Sequence, residues 1–163
     1  MTTEEVRVAA YSLWSELVAE HERYSTLVRS VPTLELRVEE DYRRYLCVRC
    51  AGFLEQVVFI LLTHFLSKRS APASLAFAGS YFRQAPNLSN EALTKLIARF
   101  GSDYQERIEL FLTDARKQRL GDLLGARNDV AHGRVGRGRR LDPEGNLRLC
   151  REVYDWLIAQ FLD

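Results

Sequence analysis

The segment Phe53 to Leu66 (Phe-Leu-Glu-Gln-Val-Val-Phe-Ile-Leu-Leu-Thr-His-Phe-Leu) restricts the possible folds of this chain more than any other stretch. Wound as a helix it is apolar on nearly every side. Such a helix has to be covered all round, at the centre of a bundle or against a second subunit. No proline or glycine interrupts the chain between Gly52 and Pro72. The longest unbroken apolar run, Val57 to Leu62, has Glu55, Gln56 and His64 close by. On that count it is too short and too polar for a bilayer, which needs roughly 20 apolar residues. Upstream, Leu36, Tyr42, Tyr45 and Leu46 give a charged front half one apolar side. The spacing therefore predicts one long central helix from about Leu34 to Lys68, with Thr33 as its cap.

The remaining segments have the same period. Thr2 or Thr3 ahead of Glu4 and Glu5 reads as a helix start, and Val6, Ala10, Leu13, Leu17, Tyr24 and Val28 recur at helical spacing until Pro32. A short helix is expected over Ala73 to Phe82, before the turn at Pro86-Asn87. Ser89 or Asn90 caps a helix with Leu93, Leu96, Ile97 and Phe100, stopped by Gly101. Ser102 with Gln105 reads as a capping box for a helix with Tyr104, Ile108 and Phe111 inward. Thr113 starts another, with Leu120, Leu123, Leu124, Val130 and Ala131 inward and an end near Gly133. Asp142-Pro143 opens the last, along Leu147, Cys150, Tyr154, Leu157 and Phe161. No stretch alternates with period two. The expectation is an all-α fold, a compact bundle of five to seven helices, as a single domain over residues 1–163.

Composition narrows the function. A chain 47% hydrophobic and 28% charged is ordinary for a soluble globular protein. Three cysteines, an odd number, argue against a disulfide framework and for a reducing compartment. Met1-Thr2-Thr3-Glu4-Glu5 is acidic where a secretory leader is basic, so the expected place is the cytoplasm, with no membrane partner. The net charge of +1 conceals a bias, because all but three of the 23 Lys and Arg residues are Arg. The planar guanidinium fork suits phosphate and carboxylate, although a GC-rich genome would produce the same bias.

Most polar oddities have a packing explanation. Cys47 and Cys50 form a Cys-x-x-Cys in mid-helix, without the further ligands of a zinc site or the strand-to-helix setting of a redox motif, and read as reduced thiols. Cys150 lies on an apolar stripe, His64 within the apolar segment, and His21 among Glu20, Glu22 and Arg23 on what looks like solvated surface. Glu55 is a carboxylate at the start of the most apolar stretch. If buried it needs a partner, most naturally an arginine; otherwise it faces solvent.

The pattern breaks at Gly125-Ala126-Arg127-Asn128-Asp129-Val130-Ala131-His132-Gly133-Arg134. Arg127 and His132 are five residues apart, about 140° around a straight helix. They can meet at one phosphate if the helix ends at His132, or if a second copy faces the first across a two-fold axis. The residue types suit transesterification of RNA. An imidazole, with an ordinary pKa of about 6.5, can take the 2′-OH proton and protonate the 5′-oxygen. Arg127 can hold the phosphate and stabilise its extra charge, and Asn128 can orient the imidazole or the phosphate. This chemistry calls for no metal or other cofactor. The structural alternative pairs Arg127 with an acid such as Asp122 and leaves His132 as a helix cap. Arg134, Arg137, Arg139 and Arg140, spaced by glycines, form a cationic loop suited to a single-stranded backbone.

Arg127-Asn128-Asp129-Val130-Ala131-His132 resembles the Arg-x4–6-His signature of the HEPN superfamily, which has a polar residue after the Arg. The surrounding Leu-Gly-Asp-Leu-Leu-Gly-Ala-Arg-Asn-Asp-Val-Ala-His-Gly is similar to the RiboL-PSP-HEPN type and related prokaryotic defence and toxin proteins. The resemblance implies a helical homodimer with both copies of Arg127 and His132 in one cleft. It further implies metal-independent cleavage of RNA to 2′,3′-cyclic phosphate and 5′-hydroxyl ends, and restraint by an antitoxin or another defence-system partner protein. One branch has a Tyr two residues after the His that an antitoxin modifies; here Arg134 stands at that place. Glu55 is the candidate supporting residue. The alternative function is a non-catalytic helical RNA-binding or protein-interaction module.

Overall fold

A computed structural model of the chain describes residues 1–31, 33, 35–81, 88–134 and 141–162, with backbone alone over 77–81. Among them are seven helices and no strand: α1 (Thr3–Ser30), α2 (Leu36–Arg69), α3 (Pro72–Tyr81), α4 (Asn90–Ala98), α5 (Ser102–Phe111), α6 (Asp114–Ala131) and α7 (Pro143–Phe161). The all-α expectation and its count of helices hold.

Helix α1 starts at a full capping box. Thr2 Oγ1 accepts from the Glu5 amide at 3.2 Å, and the Glu5 carboxylate accepts from the Thr2 amide at 2.8 Å. Val6, Ala10, Leu17 and Tyr24 are buried along its inner face. Helix α2 packs against α1, α6 and α7 and is the axis of the bundle. Phe53, Leu54, Val57, Val58, Leu61, Leu62 and Phe65 are all buried, as an all-round apolar helix requires. One 18-residue stretch of α2 has a mean hydropathy of 1.8, enough by length and composition to cross a membrane. Counting unbroken runs understates this. Within the bundle 61% of that stretch is buried, so neighbouring helices cover the apolar surface.

The front of α2 departs from expectation. The helix begins at Leu36 after Glu35, with no side-chain cap, so Thr33 does not serve as one. Leu36 is 81% exposed and Tyr45 43%, while Leu46 is buried at 1%. A side chain in the first turn has no preceding turn or neighbouring helix to lie against. Tyr45 packs edge-on against Tyr42, which stacks on Tyr24 of α1 at 5.4 Å.

Two other local expectations fail. Helix α4 ends at Ala98 with Arg99 as its C-cap, so Gly101 (φ 116°) lies beyond the C′ position. Gly101 is itself the N-cap of α5, and Ser102, already inside that helix, forms no capping box. Ser89 does cap α4, its hydroxyl accepting from the Ala92 amide at 3.0 Å. Phe65, Phe100, Tyr104 and Phe161 close one end of the bundle, with Phe65 and Phe161 edge-to-face at 5.2 Å.

The cysteines are free, buried and structural. Cys150 Sγ donates to the Cys50 carbonyl at 3.7 Å, and Asn146 Nδ2 donates to Cys47 Sγ at 3.4 Å, tying α7 to α2. Burial pushes the Cys47 thiol up to about 12, far from the thiolate a nucleophile needs. His64 is buried, with Nε2 3.2 Å from Thr3 Oγ1, and desolvation lowers its pKa. His21 is not the solvated residue expected. It packs edge-on to Tyr24, and its Nε2 is buried without a partner among the described residues.

Candidate active site

Helix α6 carries the Arg127–His132 stretch, and its start is firmly held. Thr113 Oγ1 accepts from the Arg116 amide at 3.4 Å. Glu152 of α7 accepts from Arg116 Nε at 2.8 Å and Arg119 Nη1 at 3.3 Å. Those hydrogen bonds, Arg116 first, hold the Glu152 carboxyl below its ordinary range. Leu120, Leu123, Leu124 and Ala126 face the core. Val130 is only half-buried and Ala131 is exposed, contrary to their expected inward placing. The buried stripe stops at Ala126, before the last turn of α6.

The end of α6 is a Schellman motif. The His132 amide still donates to the Asn128 carbonyl at 3.1 Å. The Gly133 amide donates to Val130 O at 3.1 Å and the Arg134 amide to Asp129 O at 2.7 Å. Gly133 takes the left-handed conformation (φ 64°) that this closure needs, and an added Cβ would meet nothing within 4 Å, so its requirement is conformational. The motif leaves the His132 side chain at the helix end, exposed and with no hydrogen bond or ion pair among the described residues. His132 still follows the helical path, as its bond to Asn128 shows. Ending the helix there does not remove its offset of about 140° from Arg127.

Arg127 is held from two sides. Its Nη2 donates to Glu55 Oε1 at 3.1 Å and Oε2 at 3.3 Å, and its Nη1 donates to Asn128 Oδ1 at 2.9 Å. The side chains of Arg127 and Glu55 are only 25% and 13% exposed. Glu55 Oε1 also accepts from the Leu88 amide at 3.3 Å. Glu55 is therefore a partly buried carboxylate with an arginine partner, Arg127, and the acid that holds Arg127 is Glu55 where Asp122 was the local alternative. The pair joins the middle of α2 to the last turns of α6. A charge-assisted contact of this kind fixes the plane of the guanidinium.

Asn128, the candidate to orient the imidazole or a phosphate, accepts with its amide oxygen from Arg127, its chain neighbour. Arg134 is exposed and lines a small cleft at the end of α6 with Asp129, Ala126 and the α2 residues Glu40 and Arg44. Arg44 is itself held by Asp41 at 2.8 Å and by Glu40. This second set of charges was missed in the sequence, where 40–44 read only as a charged helix front; nothing local tells which helix it will face. Arg137, Arg139 and Arg140 lie outside the described residues.

Arg127, Asn128 and Glu55 thus come together, with His132 on the same helix end and Arg134 just beyond it. Residues 15–158 match the RiboL-PSP-HEPN family, over α2 to α6 and most of α1 and α7. No curated protein and no solved structure matches the chain. With the family match spanning most of its length, this chain belongs to the RiboL-PSP-HEPN family.

Proposed function

We propose that the protein is a metal-independent endoribonuclease that cleaves single-stranded RNA in the cytoplasm, as a toxin or antiphage defence effector restrained by a partner protein. One observation carries this reading: Arg127 is held in place by Glu55 and Asn128, while His132 on the same helix end is exposed and uncommitted. A fixed cation and an imidazole brought to one phosphate are what phosphoryl transfer to a 2′-hydroxyl requires. Membership of the RiboL-PSP-HEPN family supports it.

In the reaction, His132 accepts the proton of the ribose 2′-hydroxyl as that oxygen attacks the adjacent phosphorus. The bond from phosphorus to the 5′-oxygen breaks, and an imidazolium returns a proton to the leaving oxygen. Arg127 donates to the non-bridging oxygens, whose charge rises in the transition state. The products are a 2′,3′-cyclic phosphate and a 5′-hydroxyl. The expected result is fragments with these ends, read by mass spectrometry on a synthetic single-stranded RNA. Fragments ending in 3′-hydroxyl and 5′-phosphate would refute the mechanism.

The offset of about 140° between Arg127 and His132 favours a site completed by a second copy. A two-fold axis near the end of α6 would set His132 of one copy beside Arg127 of the other. Sedimentation at micromolar concentration is expected to give a dimer, and a monomer would contradict the shared site. One observation favours a second reading: the Glu55–Arg127 pair also serves as a tether between α2 and α6. If that is its whole role, the protein is a non-catalytic RNA-binding or protein-interaction module that does not cleave.

A further inference from the structure

We propose that the groove between α1 and α2 beside Glu55 is a base-binding subsite for the nucleotide next to the scissile phosphate. This rests on the ribonuclease reading and adds to it a determinant of which RNA step is cut. The groove encloses about 320 Å³, within the range of roughly 300–1,000 Å³ common for ligand pockets. Its apolar lining is Leu13, Leu17, Val48 and Phe53, beside Gly52.

Gly52 lies inside α2, where glycine lowers helix stability relative to alanine. A Cβ added there would meet no atom within 4 Å, so nothing in the chain's own packing calls for glycine. Its effect is to leave the groove open down to the backbone. Arg49 lines the same groove. The neighbouring arginines of α2, Arg43 and Arg44, are paired with Glu39 and with Glu40 and Asp41. Arg49 has no carboxylate partner among the described residues, and its Nε is buried without an acceptor. An unpaired guanidinium beside an apolar lining suits a ligand with a flat apolar face and acceptor atoms on its edge. A nucleobase has both, and Gln56 and Glu16 on the rim can accept from its exocyclic or ring N–H groups.

Position ties the groove to the proposed chemistry. Glu55 lines it and, with the same carboxylate, holds Arg127. A base seated over Gly52 would therefore belong to a nucleotide whose phosphate is near that guanidinium.

The test uses Gly52→Leu, which adds a side chain to the lining, and Arg49→Gln, which removes the charge, in the full-length protein. Both are compared with wild type by circular dichroism and sedimentation. Each is titrated with a fluorescein-labelled single-stranded RNA of mixed sequence and with the four nucleoside 3′-monophosphates, and cleavage is mapped on an RNA containing every dinucleotide step. The expected result is roughly tenfold weaker RNA binding in both variants, as for loss of one stacked base. Discrimination among the monophosphates should fall, and any cleavage preference should flatten, with fold and oligomeric state unchanged. Unaltered binding and preference in both variants would overturn the subsite. So would a Gly52→Leu protein that becomes monomeric where wild type is a dimer, since the groove would then hold the second copy. If wild type binds but does not cleave, the ribonuclease reading fails, and the binding titrations still decide the subsite.

Discussion

His132→Ala is expected to lower the rate of RNA cleavage by about 10²–10⁴-fold, the usual contribution of a positioned general acid–base. Folding should be left intact. The helix end is closed by backbone bonds of Gly133 and Arg134, and the imidazole is exposed without a partner among the described residues. Stability should therefore stay within the scatter of surface substitutions, about 0.5 kcal/mol. Initial rates on a labelled single-stranded RNA and a urea titration read the two quantities separately. In cells, expression of the wild-type protein is expected to arrest growth, and the same change to relieve that arrest. A variant that cleaves at the wild-type rate would remove His132 from the mechanism.

Arg127→Ala has the second large effect, and it differs in kind because it reaches both activity and stability. Loss of the cation proposed to hold the phosphate should lower cleavage by about 10²–10³-fold. It also strands the Glu55 carboxylate, which is 13% exposed and keeps only the Leu88 amide among its described donors. An unpaired carboxylate in that setting costs about 1–3 kcal/mol. Removing both partners in Arg127→Ala/Glu55→Ala should regain part of the stability and none of the activity. Arg127→Lys should recover little of either, since a point charge cannot hold Glu55 and Asn128 together as the planar fork does. If the double variant regained activity along with stability, Arg127 would be a tether only.

The split between stability and activity also shows what a sequence can reveal here. Helix positions were legible wherever an apolar period ran for several turns, as in α1, the back of α2 and α7, because core burial sets that period. The Thr113, Ser89 and Asp142 caps were legible because each precedes such a run. The Ser102 box was not, since the same residue types fit one position into a helix as well as before it. Leu36 and Tyr45 have apolar spacing, yet no neighbour covers the first turns of α2 on their side.

The candidate site follows the same rule. Arg127, Asn128 and His132 could be picked out by type and spacing, and Glu55 by its need for a counter-charge. That these two needs answer each other across 72 positions is a fact of tertiary packing. Local spacing had offered Asp122 instead. The hydrogen bond from Arg127 to the Asn128 amide oxygen, by contrast, joins chain neighbours.

The central claim is that this chain cuts RNA with its own side chains. Purified wild-type protein incubated with single-stranded RNA in EDTA tests it most directly, beside Arg127→Ala and His132→Ala. Cleavage that persists in EDTA and is lost in both variants is the predicted result. No cleavage by wild type, or cleavage undiminished in both variants, would contradict it.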